Sequence, residues 1–177
     1  STKSPMGARL LKRWLVFPLQ STEQINKRLQ AVENLLENSD SANTLASEIA
    51  SCGDLERLAS KLSTRKIQPR EFIQLAASLK IVAAIKNEIS NASNIYLQEI
   101  GSEISTCQSS ILTIEKTLLE QAPANTLKGG FIREWFSTTL DELRNISSGG
   151  KNYLIELQQK EAQNTGISSL KISFNNG

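Results

Sequence analysis

The feature that most constrains this chain is a stripe of apolar residues toward its C-terminal end. Leu140, Leu143, Ile146, Gly150, Leu154 and Leu157 recur at about 3.5 residues per turn. That spacing keeps one face of a long helix turned toward one partner helix. It predicts a helix over 137–164, which would span ~42 Å at ~1.5 Å per residue. Gly149 and Gly150 fall inside it, each costing a helix interior about 1 kcal/mol relative to alanine. That pair is the weak point of the helix, where a kink or a break into two helices would fall. Gly166 closes the helix, and 169–174 alternates like a strand.

The rest of the chain repeats the helical period with few breakers. Among 177 residues there are 9 Gly and 4 Pro, so helices can run between punctuation points. Ser4 and Pro5 open a first helix. Met6, Leu10, Leu11, Trp14 and Leu15 share one of its faces, and Pro18 ends it. Ser21-Thr22-Glu23-Gln24 has the capping-box pattern of a second helix, whose Ile25, Leu29, Val32 and Leu36 step by four, three and four. After a polar break at 37–41, Leu45, Ile49 and Cys52 mark a short helix closed by Gly53. Asp54 caps the next one, which carries Leu55, Leu58 and Leu62.

Gln68-Pro69 begins a longer helix along Phe72, Leu75, Leu79, Val82, Ile85 and Ile89, with a break near 90–91. A short helix around Ile95, Tyr96 and Ile100 follows. Ile104, Cys107, Ile111, Ile114 and Leu118 form another stripe. Residues 121–125 read as a loop, and Gly129-Gly130-Phe131-Ile132 as a turn with a short extended piece. The fold class is all-α: an elongated helical bundle with a long C-terminal helix and at most short extended pieces. Its expected division is a helical core over 1–125, and a connecting turn, long helix and junction over 126–177.

Several function classes lose their chemistry at this level. Histidine is absent, which removes the usual general base and the commonest metal ligand. The balance of 20 basic against 18 acidic residues, a net charge of +2, announces neither a nucleic-acid nor a membrane partner. Cys52 and Cys107 lie in apolar stripes without a ligand cluster, so both are expected as buried free thiols. No apolar run approaches membrane-spanning length. Gly149-Gly150-Lys151 resembles part of a phosphate-binding loop. Asn145 stands at the first glycine's place, however, and Asn152 at the hydroxyl's, so a weak spot in a helix is the better reading.

Asp54-Leu55-Glu56-Arg57 and Asp141-Glu142-Leu143-Arg144 set acids beside bases, as helix caps and i,i+3 pairs do. In the first 28 residues Lys3, Arg9, Lys12, Arg13, Lys27 and Arg28 are opposed only by Glu23. Arg9, Lys12 and Arg13 are the candidates for weak phosphate contacts. The competing reading is a solvated face, or one that docks on an acidic neighbour, and the lack of interleaved aromatics favours it. Trp14, and Trp135 beside Phe131 and Phe136, are expected in the core. The residues alone describe a helical bundle with no visible catalytic, cofactor or metal site. A start at Ser1 and a stop just after a strand-like run suggest a segment of a longer protein, with a processed protein as the rival.

A family resemblance supplies more. Pro5-Met6-Gly7-Ala8-Arg9-Leu10-Leu11-Lys12-Arg13-Trp14-Leu15, with Pro18-Leu19 after it, resembles the block that opens the lever region of MutS proteins. Ile25-Asn26-Lys27-Arg28-Leu29-Gln30-Ala31-Val32-Glu33, Gly53-Asp54-Leu55-Glu56-Arg57-Leu58 and Pro69-Arg70 follow in that family's order. So do Gly129-Gly130-Phe131-Ile132, Leu140-Asp141-Glu142-Leu143-Arg144 and Thr165-Gly166-Ile167-Ser168-Ser169-Leu170-Lys171-Ile172. The last resembles the junction between lever and DNA clamp, which would place Thr165, Gly166, Leu170 and Lys171 there. The sequence departs from the family at 131–136, which is bulkier than usual where a glycine often stands. At 161–164 it is less charged.

The resemblance implies a bacterial, cytoplasmic, nucleoid-associated parent protein. That parent would dimerise, bind mismatched double-stranded DNA, work with a MutL-type partner and hydrolyse ATP with Mg in a separate domain. This chain would be its non-catalytic lever, holding no cofactor itself. The alternative is an autonomous helical module whose groove takes a partner helix. An enzyme is a distant third.

Overall fold

The structure is a computed structural model that describes residues 2–123, 126–167 and 169–171, without the side chains of residues 128, 151 and 152. Its described residues form the helices α1 (Pro5–Val16), α2 (Thr22–Glu37), α3 (Ser39–Ser51), α4 (Leu55–Ser63), α5 (Pro69–Ser90), α6 (Ile95–Glu103), α7 (Gln108–Thr117) and α8 (Thr138–Thr165), with a 3-10 turn at Thr126–Lys128. Among the described residues no strand forms, and the chain is all-α. It divides into two compact units, Ser1–Ile132 and Arg133–Gly177.

The helices begin where the capping residues stand. The Ser4 hydroxyl accepts from the Gly7 N–H at 3.1 Å, Ser21 from Gln24 at 3.4 Å, Asp54 from Arg57 at 3.2 Å and Asn94 from Leu97 at 3.1 Å. Each satisfies one of the N–H groups that a helix start leaves without an internal partner. At the head of α5, the Glu71 carboxylate accepts from the Gln68 N–H at 3.1 Å, closing a capping box around Pro69.

In the first unit α5 is the central helix, packing against α3, α4, α6 and α7. One core cluster joins Ala31, Leu45, Ile89 and Leu97, with Leu35, Ile85, Ala92, Tyr96 and Ile104 against it. Ile111 of α7 is 1% exposed and is the largest fully buried side chain among the described residues. Gly101 lets α6 lie close to the end of α5, because a Cβ there would stand 2.5 Å from Ser90 Oγ and 3.3 Å from the Ser90 backbone nitrogen. The Lys86 ammonium donates to the Ile104 carbonyl at 2.7 Å and ties down the end of α6. The turn after residue 128 uses positive φ at Gly129 and Gly130, 66° and 77°. It brings Ile132 into a lone antiparallel bridge with Leu118, and the Leu119 N–H donates to the Phe131 carbonyl at 2.9 Å. This is the turn and short extended piece expected from the sequence.

Four expectations need correction. The stripe beginning at Ile104 is not one helix: Ile104 ends α6, and Cys107, at φ 48°, precedes α7. Cys107 is consequently exposed, and only Cys52 is buried. Trp14 and Trp135 are 42% and 92% exposed rather than core residues. The apolar face of α1 is uncovered, with Leu11 and Leu15 at 46% and 75% exposure. As the spacing predicts, α8 forms one helix, with Gly149 and Gly150 inside it. Of the strand-like run 169–174, residue 169 lies in a turn, and Leu170 and Lys171 belong to no regular element. Residues 172–174 lie outside the described residues.

Candidate functional site

The block that opens the chain is tied to the Gly-Asp-Leu-Glu segment before α4. Arg9 donates to both oxygens of Asp54, at 3.0 and 2.6 Å, and its Nε donates to Glu56 at 2.6 Å. Asp54 thus has two tasks, capping α4 through the Arg57 N–H and gripping α1 through Arg9. The Arg9 guanidinium holds the Asp54 carboxyl below the usual carboxylate range, and the two carboxylates hold the Arg9 proton more tightly in return. Lys61 does the same to Glu71, with which it pairs. Gly53 must be bare, because its N–H donates to Ser78 Oγ at 3.1 Å and a Cβ there would stand 2.6 Å from that oxygen.

Arg9, Lys12 and Arg13 are all exposed on α1, but they are not equivalent. Arg9 is occupied by two carboxylates. Lys12 and Arg13 have no carboxylate within 4 Å among the described residues. The Arg28 guanidinium lies over the Trp14 ring, 3.8 Å from its centroid, and joins α2 to α1. Such stacking could not be located from the sequence, since α1 and α2 are separated by a proline-bearing link whose path sets it.

In the second unit, Ser137 caps α8 by accepting from the Leu140 N–H at 3.4 Å, and Gly166 ends it in the left-handed conformation at φ 68°. The Thr165 hydroxyl donates to the Glu161 carbonyl at 2.6 Å. The Leu170 N–H closes a turn on the Ile167 carbonyl at 3.2 Å. Leu170 is half-buried, whereas Lys171 is exposed. At the other end of α8, Asp141 accepts from the Trp135 N–H at 2.7 Å and from Arg144 at 2.9 Å. These bonds hold Trp135 at φ 70°, a conformation that disfavours side chains with a Cβ.

Two cavities bear on chemistry. One of about 460 Å³ between α4, α5 and α7 is lined mainly by Leu62, Phe72, Leu75, Leu79 and Ile114, with Cys107 at its side. One of about 190 Å³ gathers Glu134, Asp141 and Arg144 beside Trp135, and there Asp141 and Arg144 neutralise each other. Among the described residues no cluster of potential metal ligands occurs, and no buried side-chain polar atom lacks a partner. Gly149 and Gly150 lie within a helix rather than in a loop able to wrap a phosphate. No described helix is long and apolar enough to cross a membrane.

The arrangement is therefore one of capped helix ends and ion-paired clasps, and comparison with known proteins places it. Residues 1–172 match the family model described as MutS domain III. The chain belongs to the MutS family. It is 44% identical over 174 residues to the DNA mismatch repair protein MutS of Bacteroides fragilis, covering 98% of this chain and 20% of that protein. The MutS of Phocaeicola vulgatus is 43% identical over 175 residues, again covering 20% of the relative. That of Chlorobaculum tepidum is 38% identical over 174 residues, at 20% coverage. The chain thus spans about a fifth of the length of these MutS relatives, and it corresponds to their domain III.

Proposed function

We propose that this chain is the domain III part of a DNA mismatch repair protein, and that it acts as a non-catalytic lever between an ATPase domain and a DNA clamp. The observation that carries the reading is α8, 28 residues of uninterrupted helix with a cap at each end. A helix of that length is ~42 Å long, and its intrahelical hydrogen bonds, continuous from end to end, make it a stiff connector. In this reading Thr165, Gly166, Leu170 and Lys171 form the junction at the clamp end. Lys12 and Arg13 are the side chains left for weak phosphate contacts, since Arg9 is held by carboxylates.

Mismatched double-stranded DNA, ATP with Mg, a homodimeric assembly, a MutL-type partner and a place in the bacterial cytoplasm near the nucleoid belong to the whole protein. Catalysis resides elsewhere than in these residues. Membership of the MutS family speaks against the alternative of an autonomous module outside DNA repair.

The test is direct. The isolated chain is expected to show no ATP hydrolysis and only weak DNA binding that fades with added salt. Tight, mismatch-selective binding by this chain alone would overturn the reading.

A further inference from the structure

Trp135 is held at its backbone and left open at its side chain. The N–H bond to Asp141 at 2.7 Å keeps its φ at 70°, while the indole is 92% exposed. A residue with a Cβ is disfavoured in that conformation, and positions of this kind collect where ligands are clamped. The residue borders the cavity of about 190 Å³ beside the first turns of α8, which Glu134, Asp141, Arg144 and Asn145 also line. Of the charged groups there, Asp141 and Arg144 pair at 2.9 Å, whereas Glu134 has no cation within 4 Å among the described residues. The cavity thus combines an open aromatic ring, an unpaired carboxylate and the Asn145 amide. Residues 133–145 hold three acids against two arginines, and Asp141 in the first turn offsets the positive end of the α8 dipole.

We infer that this cavity receives one guanidinium group, the arginine side chain of another protein, stacked on the Trp135 indole and bonded to the Glu134 carboxylate. A guanidinium is planar, stacks on aromatic rings and meets a carboxylate with two parallel N–H donors. The first unit makes both contacts within itself. The Arg28 guanidinium lies 3.8 Å from the centroid of Trp14, and Arg9 forks onto Asp54 at 3.0 and 2.6 Å. At Trp135 and Glu134 the receiving halves of these two contacts line one cavity without a cation between them. An anion fits worse, because Arg144 is engaged by Asp141 and the Glu134 carboxylate would repel it. An uncharged apolar ligand would leave Glu134 unpaired at its edge. The arginine is assigned to another protein because 131–136 departs from the family pattern, with bulk where a glycine often stands, so the shared fold does without the indole. The inference is independent of the lever reading.

The experiment titrates the 177-residue chain with a capped tripeptide whose central residue is arginine, followed by NMR. Matching peptides carry lysine, citrulline or glutamate at the centre. The δ-methylene protons of the arginine are expected to move upfield, the ring-current sign of stacking on an indole, and to saturate. The indole N–H of Trp135 should shift with them, while that of Trp14, already covered by Arg28, stays in place. The lysine peptide should bind more weakly, and the citrulline peptide, which keeps the shape and loses the charge, weaker still. Glu134→Gln should weaken arginine binding by about tenfold, the loss expected for a hydrogen bond to a charged group. Trp135→Gly suits the left-handed backbone and should keep α8 intact by circular dichroism while abolishing the upfield shift. Equal binding of the arginine and citrulline peptides, an unchanged affinity in Glu134→Gln, or no saturable shift at Trp135 would overturn the proposal. A stronger response to the glutamate peptide would assign the cavity to an anion and overturn it equally.

Discussion

Arg9 and Asp54, 45 positions apart in sequence, are joined by two hydrogen bonds from one guanidinium to one carboxylate, at 3.0 and 2.6 Å. This fork fixes α1, which buries no residue of its own, to the head of α4. Arg9→Gln and Asp54→Asn should each lower the thermal midpoint, and the double variant should fall by less than the sum, because the two changes remove one interaction. Additive losses in a double-mutant cycle would show that the fork contributes nothing to holding α1.

The same fork sets an acid limit. Asp54 and Glu71 both have folded-state pKa values below those of the unfolded chain, about 3.9 and 4.3 for free side chains. In that window the unfolded state binds more protons, so stability rises with pH there. The contribution is complete above about pH 5 and is lost as pH falls through the folded values. Urea midpoints should be flat from pH 7 to about pH 5 and then decline, and Asp54→Asn should flatten the decline.

The two thiols differ in reach. Burial pushes the Cys52 thiol up, which further lowers its reactivity, whereas Cys107 is exposed. A thiol-titrating reagent should consume one equivalent at once and the second only on denaturation. Cys107→Ser should abolish the fast phase.

How much of this was legible beforehand depended on how local each cause is. Ser4, Ser21, Asp54 and Ser137 mark helix starts by bonds within a few residues, and Gly166 ends a helix by its own left-handed backbone, so these ends are legible in the sequence. The stripe from Ile104 to Leu118 misled because its spacing continues across the left-handed residue Cys107, where the backbone leaves the helical path. Burial was the least legible quantity. Leu29, Leu36 and Trp14 have the pattern of core positions and yet lie at the surface, since a seam does not state whether its partner is on the same 177 residues. The Arg9 candidate was diverted by Asp54, a contact that depends on how α1 and α4 meet.

Packing in the first unit can be probed at two residues. Ile111→Ala should cost about 2–5 kcal/mol, the range for emptying a fully buried aliphatic site. Gly101→Ala should cost about 1–3 kcal/mol by forcing α6 away from the backbone of Ser90. Denaturant unfolding with an unchanged m-value measures both.

Trp135 offers a gain instead. Its left-handed backbone costs a residue with a Cβ about 1–2 kcal/mol, and glycine's greater freedom when unfolded returns about 0.5–1 kcal/mol of that. Because the side chain is 92% exposed, little packing is lost. Trp135→Gly should therefore stabilise the second unit by up to about 1 kcal/mol in a thermal melt.

The lever is tested most directly by breaking α8 within a full-length MutS protein that carries this sequence. Ser148→Pro removes a helical hydrogen bond and kinks the arm, at about 3 kcal/mol. Gly149→Ala with Gly150→Ala stiffens it, with nothing within 4 Å to obstruct the added methyl groups. The measurement is the effect of ATP on the rate at which mismatched DNA dissociates, recorded beside ATP hydrolysis and DNA binding taken separately. The lever account predicts that the proline variant hydrolyses ATP and binds DNA yet no longer changes its DNA dissociation rate with ATP, while the alanine pair keeps the full response. An undiminished ATP response in a proline variant whose α8 is shown to be broken would contradict it.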